Sequence, residues 1–279
     1  MDQRQVEVDG QRISYLESPG AGAPPGDPAV IFVHGNSSSA RTWLPLLDGR
    51  FGQRFRCLAL DLPGHGQSAP AANPADYSLP GYAAALAGFA QALGVPGAVL
   101  VGWSLGGHIA LEAAPALPDA AGLVIFGAPP LGSAAAFAAA FLPNPAMNTG
   151  FTAQVSEAEA RAYAASFTAP GSALDTSGFV PDILATDGAA RTGLLASIGE
   201  GRFADEVAIV AGLRVPLAVL QGTGEQLVSL DYLRTLTIPT LWRAGIQQIP
   251  GVGHAPHQET PQRFTVLLTD FLSDLRGGR

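Results

Sequence analysis

A chain of 279 residues that is 47% hydrophobic and 14% charged is long enough to bury a full core and too apolar to stay disordered. All 15 basic residues are arginines, which excludes chemistry that runs through a lysine Schiff base or a pyridoxal phosphate lysine. The net charge is −8 and no basic cluster interrupts it, which argues against a nucleic acid or an anionic membrane as partner.

In chain order, MDQRQVEVDG lacks the apolar core of a signal peptide, and the most apolar stretch, SAAAFAAAFL, is about half the length of a membrane span. The expectation is a cytoplasmic protein. VEVDGQRISYLES predicts an antiparallel hairpin turning at Asp9-Gly10, and SPGAGAPPGDP (18–28) reads as a loop. Six short apolar runs follow: AVIFVHG (29–35), FRCLALDLPG (55–64), AVLVGWS (98–104), GLVIFGAP (122–129), PLAVLQG (216–222) and IQQIPG (246–251). They are continuous rather than alternating, which suits strands covered on both faces of a parallel sheet. Cys57 is the only cysteine, so no intramolecular disulfide forms and a buried inert thiol is expected.

Helical patterns separate the runs. The clearest is the last, where Thr260-Pro261 supplies a cap and a first-turn proline and Phe264, Leu267, Leu268, Phe271, Leu272 and Leu275 share one face. Between about residues 130 and 212 the alternation of strand and helix fails. Alanine-rich helical patterns, one opened by a capping box of Ser156 and Glu159, are separated there by PNPAMNTG and APGSALDTSG. The resulting expectation is an α/β fold with a mostly parallel sheet and helices on both faces. Its core would comprise residues 1–130 and 213–279, with 131–212 inserted as a helical cap.

In open parallel sheets the working residues gather beyond the C-terminal strand ends. Gly102-Trp103-Ser104-Leu105-Gly106 fits G-x-S-x-G, the strand-to-helix turn that lifts a serine above a sheet. In a chain with 34 glycines the pattern arises readily by chance, so the preceding strand and following helix carry the assignment of Ser104 as nucleophile. A serine needs a base. His34 and His65 sit in turns, and His108 lies one turn along the helix after Ser104. His254 and His257 remain, and His254 is preferred because it follows the last strand through a glycine loop. The acid should follow a strand between serine and histidine. No carboxylate follows GLVIFGAPP, whereas Glu225 follows PLAVLQG, and Asp231 lies further on in the helical pattern SLDYLRTL. Glu225 is therefore the expected partner of His254. HGNSSSARTW supplies a loop from which the Asn36 N–H, with that of Leu105, is placed to bind an oxyanion.

FVHGN, DLPGHGQS, GWSLGGHIAL and GVGHAP at these spacings resemble the α/β-hydrolase superfamily over nearly the whole chain. HGNSSSARTW, GWSLGGHI and QGTGEQLVSLDYL look closer still to the α/β-hydrolase-fold N-acyl-homoserine lactonases, which degrade quorum-sensing signals. The resemblance implies a glutamate, not the more usual aspartate, as triad acid at Glu225, and it maps a cap tyrosine of the substrate pocket onto Tyr163. GTGEQ departs from the usual charged GRDE pattern.

These readings combine into a metal-independent serine hydrolase of carboxylic esters, with Ser104, His254 and Glu225 as triad and Asn36 and Leu105 as oxyanion donors. Asn36, Trp103, Phe137, Phe141 and Tyr163 are the expected substrate contacts, with Phe151 and Phe167 further apolar candidates of the cap. No cofactor is expected, and the scattered histidines offer no metal cluster. The partner is a small acyl ester or lactone. A general carboxylesterase would use the same triad, and a hydrolase-fold receptor would bind its ligand without turnover.

Overall fold

The computed structural model describes residues 2–20 and 26–277; residues 21–25 of the expected loop lie outside the described residues. The hairpin forms as β1 (Asp2–Val8) and β2 (Gln11–Glu17). Asp9 at φ 50° and Gly10 at φ 80° give its turn the left-handed residues that match strand twist. All six apolar runs become strands: β3 (Val30–Val33), β4 (Cys57–Leu60), β5 (Val99–Trp103), β6 (Gly122–Phe126), β7 (Leu217–Gly222) and β8 (Gln247–Ile249).

The strands form one sheet in the order β1-β2-β4-β3-β5-β6-β7-β8. Pairing is antiparallel from β1 to β2 and from β2 to β4, and parallel across β4-β3-β5-β6-β7-β8. Every residue of β3 to β7 is buried, so helices must cover both faces, as continuous apolar runs require. Helix Leu79–Ala92 packs against helix Leu105–Ala113, and helix Leu44–Leu47 against Pro261–Gly277. The last of these buries Phe264, Leu268, Phe271 and Leu272 on one stripe. Chain order reverses between β3 and β5, and this switch point opens a crevice above the strand ends.

The chain between β6 and β7 contributes no strand to this sheet. It carries the helices Glu157–Ala165, Val180–Ala185, Gly188–Gly199 and Glu206–Gly212. Ser156 caps the first with the full box, its side chain accepting from the Glu159 N–H while Glu159 accepts from the Ser156 N–H. Polar ties hold this segment to the sheet. Asn36 Nδ2 donates to the Gly150 carbonyl at 2.6 Å, Tyr77 donates to Asp187 at 2.6 Å, and the Ala255 N–H donates to the Phe167 carbonyl at 2.7 Å.

Buried titratable groups set an acid limit on the fold. Burial lowers the pKa of His34 to about 3 and of His65 to about 4, and drives His257 well below its ordinary value. The unfolded chain protonates all three below about pH 6.5, so they destabilise the native state as pH falls. Asp61, raised by burial to about 6, and Glu112, raised by burial to about 7, act in the opposite sense. Their native protons are lost on unfolding until the pH reaches the ordinary carboxylate range near about 4. Between about pH 6 and 4.5 the two carboxyls offset only two of the three histidines and leave about one proton uncompensated, roughly 1.4 kcal/mol of lost stability per pH unit; below that range the carboxyl offset fades and the loss steepens. Urea midpoints measured across this range should decline gently and then fall more steeply below about pH 4.5. A decline already at its full slope from about pH 6.5, with no steepening below about 4.5, would show that the two carboxyls do not hold their protons.

Candidate active site

Ser104 sits between β5 and helix Leu105–Ala113 with φ 53° and ψ −122°. A left-handed backbone at a residue other than glycine is strained and persists only where surrounding packing enforces it. The two motif glycines permit that packing. A Cβ on Gly102 would lie 2.3 Å from the Gly106 carbonyl oxygen, and one on Gly106 would lie 2.2 Å from that of Val33, so any side chain at either position would push the turn off the sheet.

His254 follows β8 through Val252-Gly253, and Glu225 follows β7 through Thr223-Gly224. Because β7 and β8 are parallel neighbours, both loops leave the same edge. His254 Nδ1 lies 2.9 Å from Glu225 Oε2, and Glu225 Oε1 accepts the Leu227 N–H at 2.8 Å. Both side chains are almost wholly buried, at 2% and 4% exposure. A carboxylate at Nδ1 fixes the tautomer that protonates Nδ1 and leaves the Nε2 lone pair free. Nε2 has no hydrogen-bond partner among the described residues. The His254 carbonyl accepts the Trp103 indole N–H at 2.8 Å, and the Gly253 N–H donates to Glu259.

The competing candidates are occupied elsewhere. His257 is fully buried, pairs Nε2 with Thr42 Oγ1 at 2.8 Å and has no carboxylate partner among the described residues. Asp231 is exposed and pairs with Arg234. His34 Nε2 accepts the Leu62 N–H at 3.0 Å. His65 Nδ1 lies 3.0 Å from the Pro63 carbonyl oxygen.

Ser104, His254, Asn36 and Leu105 line one cavity of about 70 Å³. Neither the Asn36 nor the Leu105 backbone N–H donates to a protein acceptor among the described residues, so both stay available to a ligand. Phe137, Phe141, Phe151 and Tyr163 also line the cavity, joined by Met147, Leu194, Ile198 and Phe203. Trp103 does not. It is fully buried beneath the histidine loop, with its indole N–H spent on the His254 carbonyl, which corrects the expectation that it contacts substrate. Phe167 is likewise absent from the cavity wall and packs edge-on against Trp103 at 5.3 Å. Among the described residues, no group of three or more His, Cys, Asp or Glu side chains converges as a metal site would.

Gly127, which sequence reasoning passed over, backs the imidazole. Its φ is +62°, and a Cβ there would lie 2.5 Å from His254 Cε1 and 2.8 Å from Nδ1. The only sequence signal was a glycine directly after the apolar run GLVIF.

Two solved structures of the N-acyl homoserine lactonase AidH share this architecture over their full length. One is a serine-to-glycine variant complexed with N-hexanoyl homoserine lactone: 35% identity, TM-score 0.91, covering 99% of this chain and 98% of that one. The other is complexed with N-butanoyl homoserine, again at 35% identity and TM-score 0.91, covering 99% and 97%. Among curated proteins, the pimeloyl-[acyl-carrier protein] methyl ester esterase of Xanthomonas oryzae pv. oryzae is 37% identical over 103 residues. That alignment spans only 37% of this chain and 38% of the esterase. The dihydrolipoyllysine-residue acetyltransferase component of the acetoin cleaving system of Cupriavidus necator is 36% identical over 114 residues, 41% of this chain and 28% of that protein. The sequence pattern of the alpha/beta hydrolase family matches residues 30–266, and with a sheet, elbow and loop order of the same kind the chain belongs to that family.

Proposed function

We propose that this chain is a metal-independent serine hydrolase that opens the lactone ring of N-acyl-homoserine lactones, and so quenches quorum-sensing signals. The observation that carries the reading is the buried His254–Glu225 pair, 2.9 Å apart, on a cavity that Ser104 also lines. The full-length likeness to lactonase structures supports the substrate class, and residues 131–212 form the cap that receives the acyl arm.

In this mechanism His254 Nε2 takes the Ser104 hydroxyl proton as Oγ attacks the ring carbonyl. Glu225 holds the Nδ1 proton and stabilises the imidazolium. The N–H groups of Asn36 and Leu105 bind the tetrahedral oxyanion. Collapse breaks the ring C–O bond, and the imidazolium protonates the departing alkoxide, which stays attached as the homoserine hydroxyl of the acyl-enzyme. Water, deprotonated by His254, then releases N-acyl-homoserine and restores Ser104. Asn36 takes part through its backbone, while its side chain is tied to Gly150 of the cap. That tie fixes the loop against the segment that closes over the substrate.

Chromatography of N-hexanoyl homoserine lactone incubated with the protein, with and without a chelator, tests the reading. Ring-opened N-hexanoyl homoserine should accumulate at the same rate in both. Release of hexanoic acid would identify an amidase instead, and turnover of aryl esters without any of lactones would identify a general carboxylesterase.

Gly127→Ala tests the placement of the base. The added methyl displaces the His254 ring, and misplacement of a reacting group by about 1 Å costs about 100-fold in rate. The left-handed backbone adds about 1–2 kcal/mol of destabilisation. Steady-state kinetics should show turnover falling by about two orders of magnitude in a protein that still melts cooperatively. Wild-type turnover in this variant would mean that the ring position does not limit the reaction.

A further inference from the structure

His108 faces the cavity yet has no part in the chemistry above. Of the other histidines, His254 is the base, while His34, His65 and His257 contribute nothing to the cavity wall. His108 lies four residues beyond Ser104 on helix Leu105–Ala113, which places it about 6 Å further along the axis. Its Nδ1 lies 2.9 Å and 3.0 Å from the two carboxylate oxygens of Glu206. Glu206 is fully buried, and its Oε2 also accepts the Leu131 N–H at 2.8 Å. Nδ1 is thereby occupied, while Nε2 makes no protein hydrogen bond among the described residues and belongs to a ring on the cavity wall.

Apart from Asn36, Ser104, His254, Tyr163 and His108, the wall is hydrocarbon and one thioether. A buried ion pair seldom stabilises a fold better than apolar residues of the same volume. The His108–Glu206 pair therefore calls for a role beyond packing. We propose that His108, oriented by Glu206, is a specificity residue whose Nε2–H donates to an oxygen on the acyl arm, so that chains carrying a keto or hydroxyl oxygen are favoured over plain alkanoyl chains. The inference rests on Ser104 as nucleophile. In an acyl-homoserine lactone the third acyl carbon lies five bonds from the scissile carbon, about 6 Å when extended, which is the one-turn spacing from Ser104 to His108. The protonation state agrees. Burial alone would lower the His108 pKa, but the charge of Glu206, the hydrogen bond to it and the charge of Glu112 outweigh burial and hold it above the ordinary value. An imidazolium donates from both nitrogens.

The experiment measures kcat/KM for hexanoyl, 3-oxohexanoyl and 3-hydroxyhexanoyl homoserine lactone. Phenyl heptanoate and phenyl 6-oxoheptanoate, which carry the same five-bond spacing on a simple ester, are measured in parallel. The readout is the ratio of oxygenated to plain substrate within each protein, so a loss common to both cancels. A hydrogen bond from a charged donor should give the wild type a preference of about 10-fold or more. The double variant His108→Leu with Glu206→Gln, which leaves no uncompensated buried charge, should bring the ratio close to one. If that protein does not fold, His108→Gln serves: its amide N–H₂ can stay on Glu206, turning an acceptor toward the cavity, and the keto preference should vanish. A wild type without preference, or a folded double variant that keeps it, overturns the proposal and leaves His108–Glu206 as a clamp between two helices. Preference for the hydroxy substrate alone would make Nε2 an acceptor and overturn the donor assignment. Should lactones go unhydrolysed while the phenyl esters show the keto preference, the lactone reading fails and the His108 assignment stands.

Discussion

Ser104→Ala is expected to lower turnover of lactone and aryl ester alike by about 10⁶-fold, the scale seen when a triad nucleophile is removed. Ser104 is held at φ 53° in a turn whose flanking glycines admit no side chain, and the cavity offers no other hydroxyl or thiol except that of Tyr163. Burial raises the Tyr163 pKa far above neutrality, so its phenol is not a competing nucleophile. Cys57 is buried in β4, its thiol pushed up by burial to about 12. Alanine also removes the hydroxyl without adding bulk, so the substitution reads chemistry with little disturbance of packing. Stopped assays with purified protein check the figure, and a variant retaining a tenth of wild-type turnover would rule out a serine mechanism.

Glu225→Gln is expected to cost up to about 10⁴-fold in turnover, with a much smaller effect on KM. The carboxylate accepts from His254 Nδ1 and from the Leu227 N–H. Glutamine keeps the shape but removes the charge that offsets the imidazolium, and its amide N–H₂ presented to Nδ1 would favour the wrong tautomer. Glu225→Asp should be milder only if the loop moves, because the shorter side chain leaves its oxygens about 1–1.5 Å short of a good hydrogen bond. Asp231→Asn is the control, since that side chain is exposed and paired with Arg234. Loss of turnover in Asp231→Asn with none in Glu225→Gln would move the acid to helix Leu230–Thr235.

The sheet was legible because β3 to β7 are covered on both faces and so read as unbroken apolar runs. The hairpin was legible from Asp9-Gly10 between the two strand-like flanks of VEVDGQRISYLES. Glu225 could be singled out because chain order and strand position leave few carboxylates at that edge. Residues that act through tertiary contact left weaker marks. Gly127 touches a histidine more than 100 residues further on. Glu206 pairs with His108 across 98 positions, and nothing in its local sequence marks that partnership. Trp103, expected among the substrate contacts, is fully buried and spends its indole N–H on the His254 carbonyl, a contact across 151 positions that its local sequence does not mark. The cap lining was only partly readable, since alanine-rich helices bury shallow faces and give little contrast between inside and outside.

Covalent labelling by a fluorophosphonate, followed by intact-mass and peptide mass spectrometry, tests the serine mechanism most directly. One adduct per chain should form, on the peptide containing Ser104, in step with loss of lactone turnover, and Ser104→Ala should take up none. Active enzyme that forms no adduct, or that carries it on a residue other than Ser104 while turnover is lost, would contradict the assignment of Ser104, His254 and Glu225.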